Sequence, residues 1–286
     1  MSTRLNGWRA LAATALAITA IAGMSVAPAA AITNGSLDGN GHPYVGLMTA
    51  HDSAGRYLWR CSGTLLNSRI FVTAGHCTEA PAAQAVIYFG PGPFEFDPAF
   101  HFTPPLSSCA GVSGYPCGGG HTGVTFTHPQ YNPNRFYLHD LGVVRLDAAY
   151  NPGAFGRLPA LNSNDALRPG RTTTFTAVGY GLQRSFPDPA SWKTLASRTR
   201  MVSHPWLLQI NTGFIGHYAL LLSNNAQSGG TCFGDSGGPN FRGSSNVLAG
   251  VTSFGLNSTC AGTGGVYRLD EADDLNWLAS AFGVTP

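Results

Sequence analysis

Short apolar runs separated by clusters of turn-forming residues dominate the chain. Val45-Gly46-Leu47-Met48, Ile70-Phe71-Val72, Ala85-Val86-Ile87-Tyr88-Phe89 and Leu141-Gly142-Val143-Val144-Arg145-Leu146 are examples. Thr174-Phe175-Thr176-Ala177-Val178 and Val247-Leu248-Ala249-Gly250-Val251 follow later. Runs this short, rich in β-branched and aromatic residues, predict strands rather than helices. Many such strands predict an all-β chain whose sheets close into barrels or stack as a sandwich. Only the C-terminus breaks the rule. Asp270-Glu271-Ala272-Asp273-Asp274 places acidic side chains where a helix dipole favours them. Leu275, Leu278 and Phe282 then share one face and Gly283 suits the exit, which predicts a helix over about 270–282. Residues 90–123 hold six prolines, from Pro91 to Pro116, and end in Gly118-Gly119-Gly120. That composition predicts a long surface loop. Residues 151–171, rich in Asn, Pro and Gly, are expected to link two halves.

The first 31 residues stand apart. Arg4 and Arg9 precede an uncharged, Ala-rich stretch from Ala10 to Ala27, and Ala29-Ala30-Ala31 offers a small-residue cleavage site. This predicts an export signal, too short and too poor in leucine for a membrane anchor. The formal charge of +2 (16 basic, 14 acidic) then disappears, because Arg4 and Arg9 leave and 14 of each sign remain. A neutral mature chain argues against nucleic acid or an anionic membrane as partner. Hydrophobic residues make up 43% of the chain, enough for a sizeable core. Six cysteines in an exported chain point to disulfides. Proximity suggests Cys61–Cys77, Cys109–Cys117 and Cys232–Cys260, although spacing alone leaves 15 pairings open. No CxxC or HExxH pattern occurs, so no metal and no cofactor are expected.

The sharpest local signal is Gly234-Asp235-Ser236-Gly237-Gly238-Pro239. Glycines around a serine permit strained turns and close approach of a substrate backbone. The pattern also fits the G-x-S-x-G elbow of α/β-hydrolases, but that fold needs a histidine after the serine. The last histidine is His217. An Asp–His–Ser order would require Asp38 or Asp52, neither in a persuasive context. His–Asp–Ser remains. Phe71-Val72-Thr73-Ala74-Gly75-His76-Cys77 sets a histidine after an apolar strand and beside a cysteine. His139-Asp140-Leu141 opens another apolar run, where the Asp140 carboxylate can lie buried beside that imidazole; Asp147 at its far end is the weaker choice.

With these blocks in hand, the chain resembles the chymotrypsin-like serine proteases. Ile32-Thr33-Asn34-Gly35, Thr73 to Cys77, Asp140-Leu141 and Gly234 to Pro239 carry the resemblance. Val178-Gly179-Tyr180-Gly181, Ser253-Phe254-Gly255 and Gly265-Val266-Tyr267 add to it in the same order. It implies two six-stranded antiparallel β-barrels, about 32–158 and 159–270, with the active site in the cleft between them and a C-terminal helix packed on the barrels. It implies a secreted endopeptidase acting on protein or peptide, expected to be a monomer, with Ser236 as nucleophile, His76 as base and Asp140 as its orienting carboxylate. The amides of Gly234 and Ser236 would form the oxyanion hole. Ser253, Phe254 and Gly255 would pair with an extended substrate.

Two further expectations rest on the resemblance. Tryptic members carry an Asp two residues before the cysteine of the serine loop. Here that position is Gly230, followed by Thr231 and Cys232. Gly255 and Gly265 match the pocket-wall glycines, and Phe233 is placed to narrow the opening. Cleavage is therefore expected after apolar or aromatic residues. The buried acidic residue before the nucleophile, Asp235, is expected to pair with a new N-terminus at Ile32, created by export itself. A protease-like binding protein or a secreted esterase are the alternatives. The 90–123 segment resembles an insertion, and one disulfide common in the family's second barrel has no counterpart.

Overall fold

The strand β2 (Val45–His51) is buried at every position, which explains why its run alternates so little. The structure, a computed structural model, describes residues 32–102, 108–183 and 196–286. The predicted leader, residues 1–31, lies outside them. The first element of the described residues is a two-residue strand β1 (Ser36–Leu37). The first barrel is built from β2, β3 (Tyr57–Leu65), β4 (Ile70–Thr73), β5 (Gln84–Tyr88), β6 (His121–Thr127) and β7 (Gly142–Leu146). It closes in the order β2-β3-β4-β7-β6-β5, antiparallel throughout. The register sets Val72 opposite Val143 and Val45 opposite Thr64.

The second sheet contains β8 (Gly170–Gly179), β9 (Met201–Ser203), β10 (Trp206–Ile210), β11 (Ala219–Asn224), β12 (Pro239–Arg242), β13 (Leu248–Gly255) and β14 (Gly262–Arg268). Pairing runs β8-β10-β11-β14-β13-β12 and returns to β8, a second closed six-stranded barrel. The expected architecture is the one found. A double barrel leaves few open edges and hides most strand amides. One boundary differs from expectation. Residues 32–37 attach to the second sheet, through Thr33 against Gly230 and Ser36 against Val202, before the chain enters the first barrel.

The C-terminal helix α1 (Ala272–Phe282) ends at Gly283, whose φ of +68° is the left-handed exit anticipated for glycine. Leu275 and Leu278 are buried in the same core as Val143, Val72 and Leu269, so the helix seals the barrels. The 90–123 segment is less peripheral than its prolines suggest. Tyr115 is buried, Phe94 packs partly on the first core, and Cys109 is joined to Cys117. Cys61–Cys77 and Cys232–Cys260 are the other two bridges. No helix among the described residues is long and apolar enough to cross a membrane.

Candidate active site

Strand β4 delivers the chain to a single 3-10 turn, Gly75–Cys77, which carries His76. Cys77 is bridged to Cys61 on β3, so the turn is tied to its neighbouring strand on one side. On the other side sits Asp140, fully buried immediately before β7. Its Oδ1 accepts the His76 backbone N–H at 2.9 Å, and its Oδ2 lies 3.0 Å from His76 Nδ1. A third donor, Ser253 Oγ on β13, reaches Oδ2 at 2.5 Å. The carboxylate accepts only, so Nδ1 carries the proton and Nε2 is left with a lone pair. Burial alone pushes the His76 pKa down. The charge of Asp140 and its hydrogen bond outweigh that, and the net shift is upward. No room exists for a larger residue behind the turn: a Cβ on Gly75 would meet Tyr131 at 3.0 Å and Leu141 N at 3.1 Å.

Ser236 is half-buried at the mouth of a cavity. Its loop is held against the first barrel. Ser62 N–H donates to Ser236 O at 2.8 Å, and Ser62 Oγ donates to Gly234 O at 2.9 Å. A Cβ on Gly237 would lie 1.9 Å from Thr73 Oγ1 and 2.6 Å from Ala74 N, so this turn sits on the segment leading to His76. The Asp235 and Gly237 amides donate to Cys232 O and Thr252 O. Among the described residues, the Gly234 and Ser236 amides have no such acceptor. Gly234 has φ +95°, which turns its amide in a direction L-residues rarely reach. Two free amides on one loop can bind an oxyanion.

Asp235 is fully buried with Oδ1 on Gly181 N (2.7 Å) and Oδ2 on Cys232 N (2.9 Å). Desolvation dominates its titration, against those two donors and the charge of Arg60, and raises its pKa to about 7. Ile32 is buried on Met201, and Thr33 bonds Gly230 and Asn224. Among the described residues, the hydrogen-bond partners of the Asp235 carboxylate are these two amides.

The cavity, about 350 Å³, is lined by Thr231, Phe233, Ser236, Ser253, Phe254 and Gly255 among others, and among the described residues no carboxylate lines it. Gly230 and Gly265 are absent from its wall. Gly230 faces the Asn224 side chain, and Gly265 lies under the Phe254 ring, where a Cβ would approach to 2.4 Å. Sequence reasoning missed Ser62 and Arg60. Arg60 donates to Tyr180 O at 2.8 Å and lies against Gly234. Neither Ser62 nor Arg60 carries a local signature; both act through strand β3 running beside the Ser236 loop.

The trypsin family model matches residues 118–272, more than half of the chain. The chain belongs to the trypsin family. Trypsin alpha-4 of Lucilia cuprina is 28% identical to this trypsin-family chain over 230 residues, covering 77% of each. Trypsin beta of Drosophila erecta is 26% identical over 221 residues, covering 76% of this chain and 77% of that one. Among solved structures, HL collagenase superposes with a TM-score of 0.62 at 19% identity, covering 89% of this chain and 100% of that one. Human heparin binding protein gives 0.56 at 21%, covering 85% and 94%. These structural likenesses speak for the trypsin-family fold. One fold with such different names attached leaves the activity to be argued from the site.

Proposed function

We propose that this chain is a secreted serine endopeptidase of the trypsin family, with Ser236, His76 and Asp140 as its catalytic triad. The observation that carries the reading is the His76 Nδ1–Asp140 Oδ2 contact of 3.0 Å, which leaves Nε2 with a free lone pair, while the Gly237 turn after Ser236 packs on the Thr73–Ala74 segment that leads to His76. Ser236 Oγ attacks the peptide carbonyl as His76 Nε2 takes its proton. Asp140 holds the imidazole in this tautomer and stabilises the imidazolium that forms. The developing oxyanion binds the amides of Gly234 and Ser236, each worth roughly 3–4 kcal/mol in the transition state. His76 then gives its proton to the leaving amine, the acyl-enzyme forms, and water repeats the sequence. An Arg or Lys side chain entering the cavity would be desolvated without an ion pair, so apolar and aromatic side chains are the substrates favoured. Residues 1–31 serve as the export signal, and release of Ile32 supplies an ammonium for Asp235.

A binding-only role is the rival reading, since the fold is shared with a heparin binding protein. The neutral charge of residues 32–286 argues against a polyanion ligand. A fluorophosphonate probe followed by peptide mapping tests the proposal. Labelling at Ser236, together with cleavage of a peptide library after apolar residues, is expected. An unlabelled Ser236 in folded protein beginning at Ile32 would overturn it.

A further inference from the structure

Next to Asp140 in the chain, at His139, three segments bring ligand-type side chains together. His128 follows β6, His139 immediately precedes Asp140, and Asp273 and Asp274 occupy the first turn of α1. One ligand atom from each of the four lies within 4.8 Å of the others.

The hydrogen bonding in this cluster is incomplete in an informative way. His139 Nδ1 is only 2.8 Å from Asp273 Oδ2, yet it is buried with no aligned hydrogen-bond partner. Asp274 is fully buried. Tyr267 donates to its Oδ2 at 2.8 Å, which fixes the carboxylate and leaves Oδ1 with no hydrogen-bond partner. An unsatisfied buried carboxylate oxygen, an imidazole nitrogen without an aligned hydrogen bond and a neighbouring carboxylate oxygen thus converge, in a protein whose buried polar atoms are otherwise mostly paired. Charge points the same way. Arg268 takes up Asp270 and Glu271 on the preceding turn, whereas among the described residues no Lys or Arg pairs with Asp273 or Asp274. His128 accepts Gln130 N–H at Nδ1, so Nε2 bears its proton; at 3.8 Å from Asp274 Oδ1 it is an outer donor to that carboxylate, not a ligand.

The geometry points to a divalent-cation site in which His139 Nδ1, Asp273 Oδ2 and Asp274 Oδ1 are the protein ligands, with Tyr267 and His128 orienting them from outside. One imidazole nitrogen with two carboxylate oxygens suits zinc better than calcium or magnesium, which favour all-oxygen shells. Two formal negative charges balance one dication. Such an ion ties the C-terminal helix to the residue next to Asp140, so it braces the triad from behind without touching substrate.

The test uses the exported full chain carrying His76→Ala and Ser236→Ala, so that the catalytic histidine cannot capture the ion and autolysis cannot occur. Calorimetric titration of the chelator-treated protein with Zn²⁺ should give saturable binding of a single ion. X-ray absorption should place nitrogen and oxygen ligands at about 2.0–2.2 Å. Asp273→Asn, which alters a partly exposed side chain and is expected to fold, should weaken binding at least tenfold. His139→Gln should do the same, with folding checked by circular dichroism. Absence of saturable binding, binding that survives both substitutions, or a preference for Ca²⁺ over Zn²⁺ would each overturn the site.

Discussion

Asp140 and Asp235 are both fully buried carboxylates, and their surroundings differ in kind. Asp140 meets side chains: His76 Nδ1 at 3.0 Å and Ser253 Oγ at 2.5 Å, with the His76 backbone amide at 2.9 Å. Among the described residues, Asp235 hydrogen-bonds backbone alone, the amides of Gly181 and Cys232, with Arg60 contributing charge from a distance. Asp140 is therefore matched by side-chain donors as well as by a backbone amide. The Ser236 loop is organised around a carboxylate that forms no ion pair among the described residues. A buried acid in that condition either keeps its proton or waits for a partner.

The comparison fails outright if the two halves do not work together. Ser236→Ala and His76→Ala should each lower kcat by roughly 10⁴- to 10⁶-fold, and the double variant should lose no more than either alone. Asp140→Asn should cost about 10⁴-fold, because the imidazole then adopts the wrong tautomer. Circular dichroism and thermal melting should stay close to wild type for Ser236→Ala, whose side chain supports no other group. Additive losses in the double variant would mean that Ser236 and His76 do not act in one step.

The isolation of Asp235 has a signature in stability. The folded carboxyl keeps its proton up to about pH 7, whereas the unfolded chain releases it near 3.8. Between those values the native state binds more protons. The contribution of Asp235 to stability is full below pH 4 and is lost as the pH rises through 7, by roughly 4 kcal/mol in all. Denaturant melts of the Ser236→Ala protein from pH 4 to 8 should show this contribution, and Asp235→Asn should make the slope shallower by that part. Protein beginning at Ile32 should lose or reverse it, since an ammonium beside the carboxylate favours the ionised form. An identical slope in both forms would mean that Ile32 never reaches Asp235.

How far the sequence revealed these features depended on range. Ile70-Phe71-Val72 and Val143-Val144 read as strands because β-branched side chains crowd them, and both are strands, paired with each other. Barrel closure was illegible without the resemblance, because it depends on partners such as Asn240 and Ala177 from separate parts of the chain. Strand β14 was hardest, since Gly262, Gly264 and Gly265 weaken any strand signal. At the site, the three triad candidates each sat in a local block. Ser62 and Arg60 did not, because their roles come from strand β3 running beside the Ser236 loop. The His139, Asp273 and Asp274 cluster has no spacing rule to betray it.

The bridges sharpen the contrast at a smaller scale. Cys61–Cys77 spans 16 residues and Cys109–Cys117 spans 8, so chain entropy alone assigns them about 3 and about 2.5 kcal/mol. Stability hardly separates them; function should. Replacing Cys61 and Cys77 by Ala should lower kcat along with Tm, because the turn bearing His76 loses its tie to β3. Replacing Cys109 and Cys117 should lower Tm while kcat at 25 °C stays near wild type. Equal losses of kcat would show that the 90–123 segment also shapes the site.

The smallest expected effect isolates a single hydrogen bond. Ser253→Ala removes the Oγ donor from Asp140 Oδ2 and leaves both His76 donors in place. A hydrogen bond to a charged group contributes about 1.5–3 kcal/mol, and part of that will be recovered by relaxation of His76 onto the freed oxygen. A fall in kcat of about tenfold is the expected outcome. The direction of the pH change is more telling than the size. With one donor fewer, the negative charge on Asp140 is less dispersed and holds the imidazolium more tightly, so the His76 pKa rises further. The acid limb of the kcat profile, which requires neutral His76, should then move to higher pH. A merely structural Ser253 would lower Tm and leave that limb where it stands.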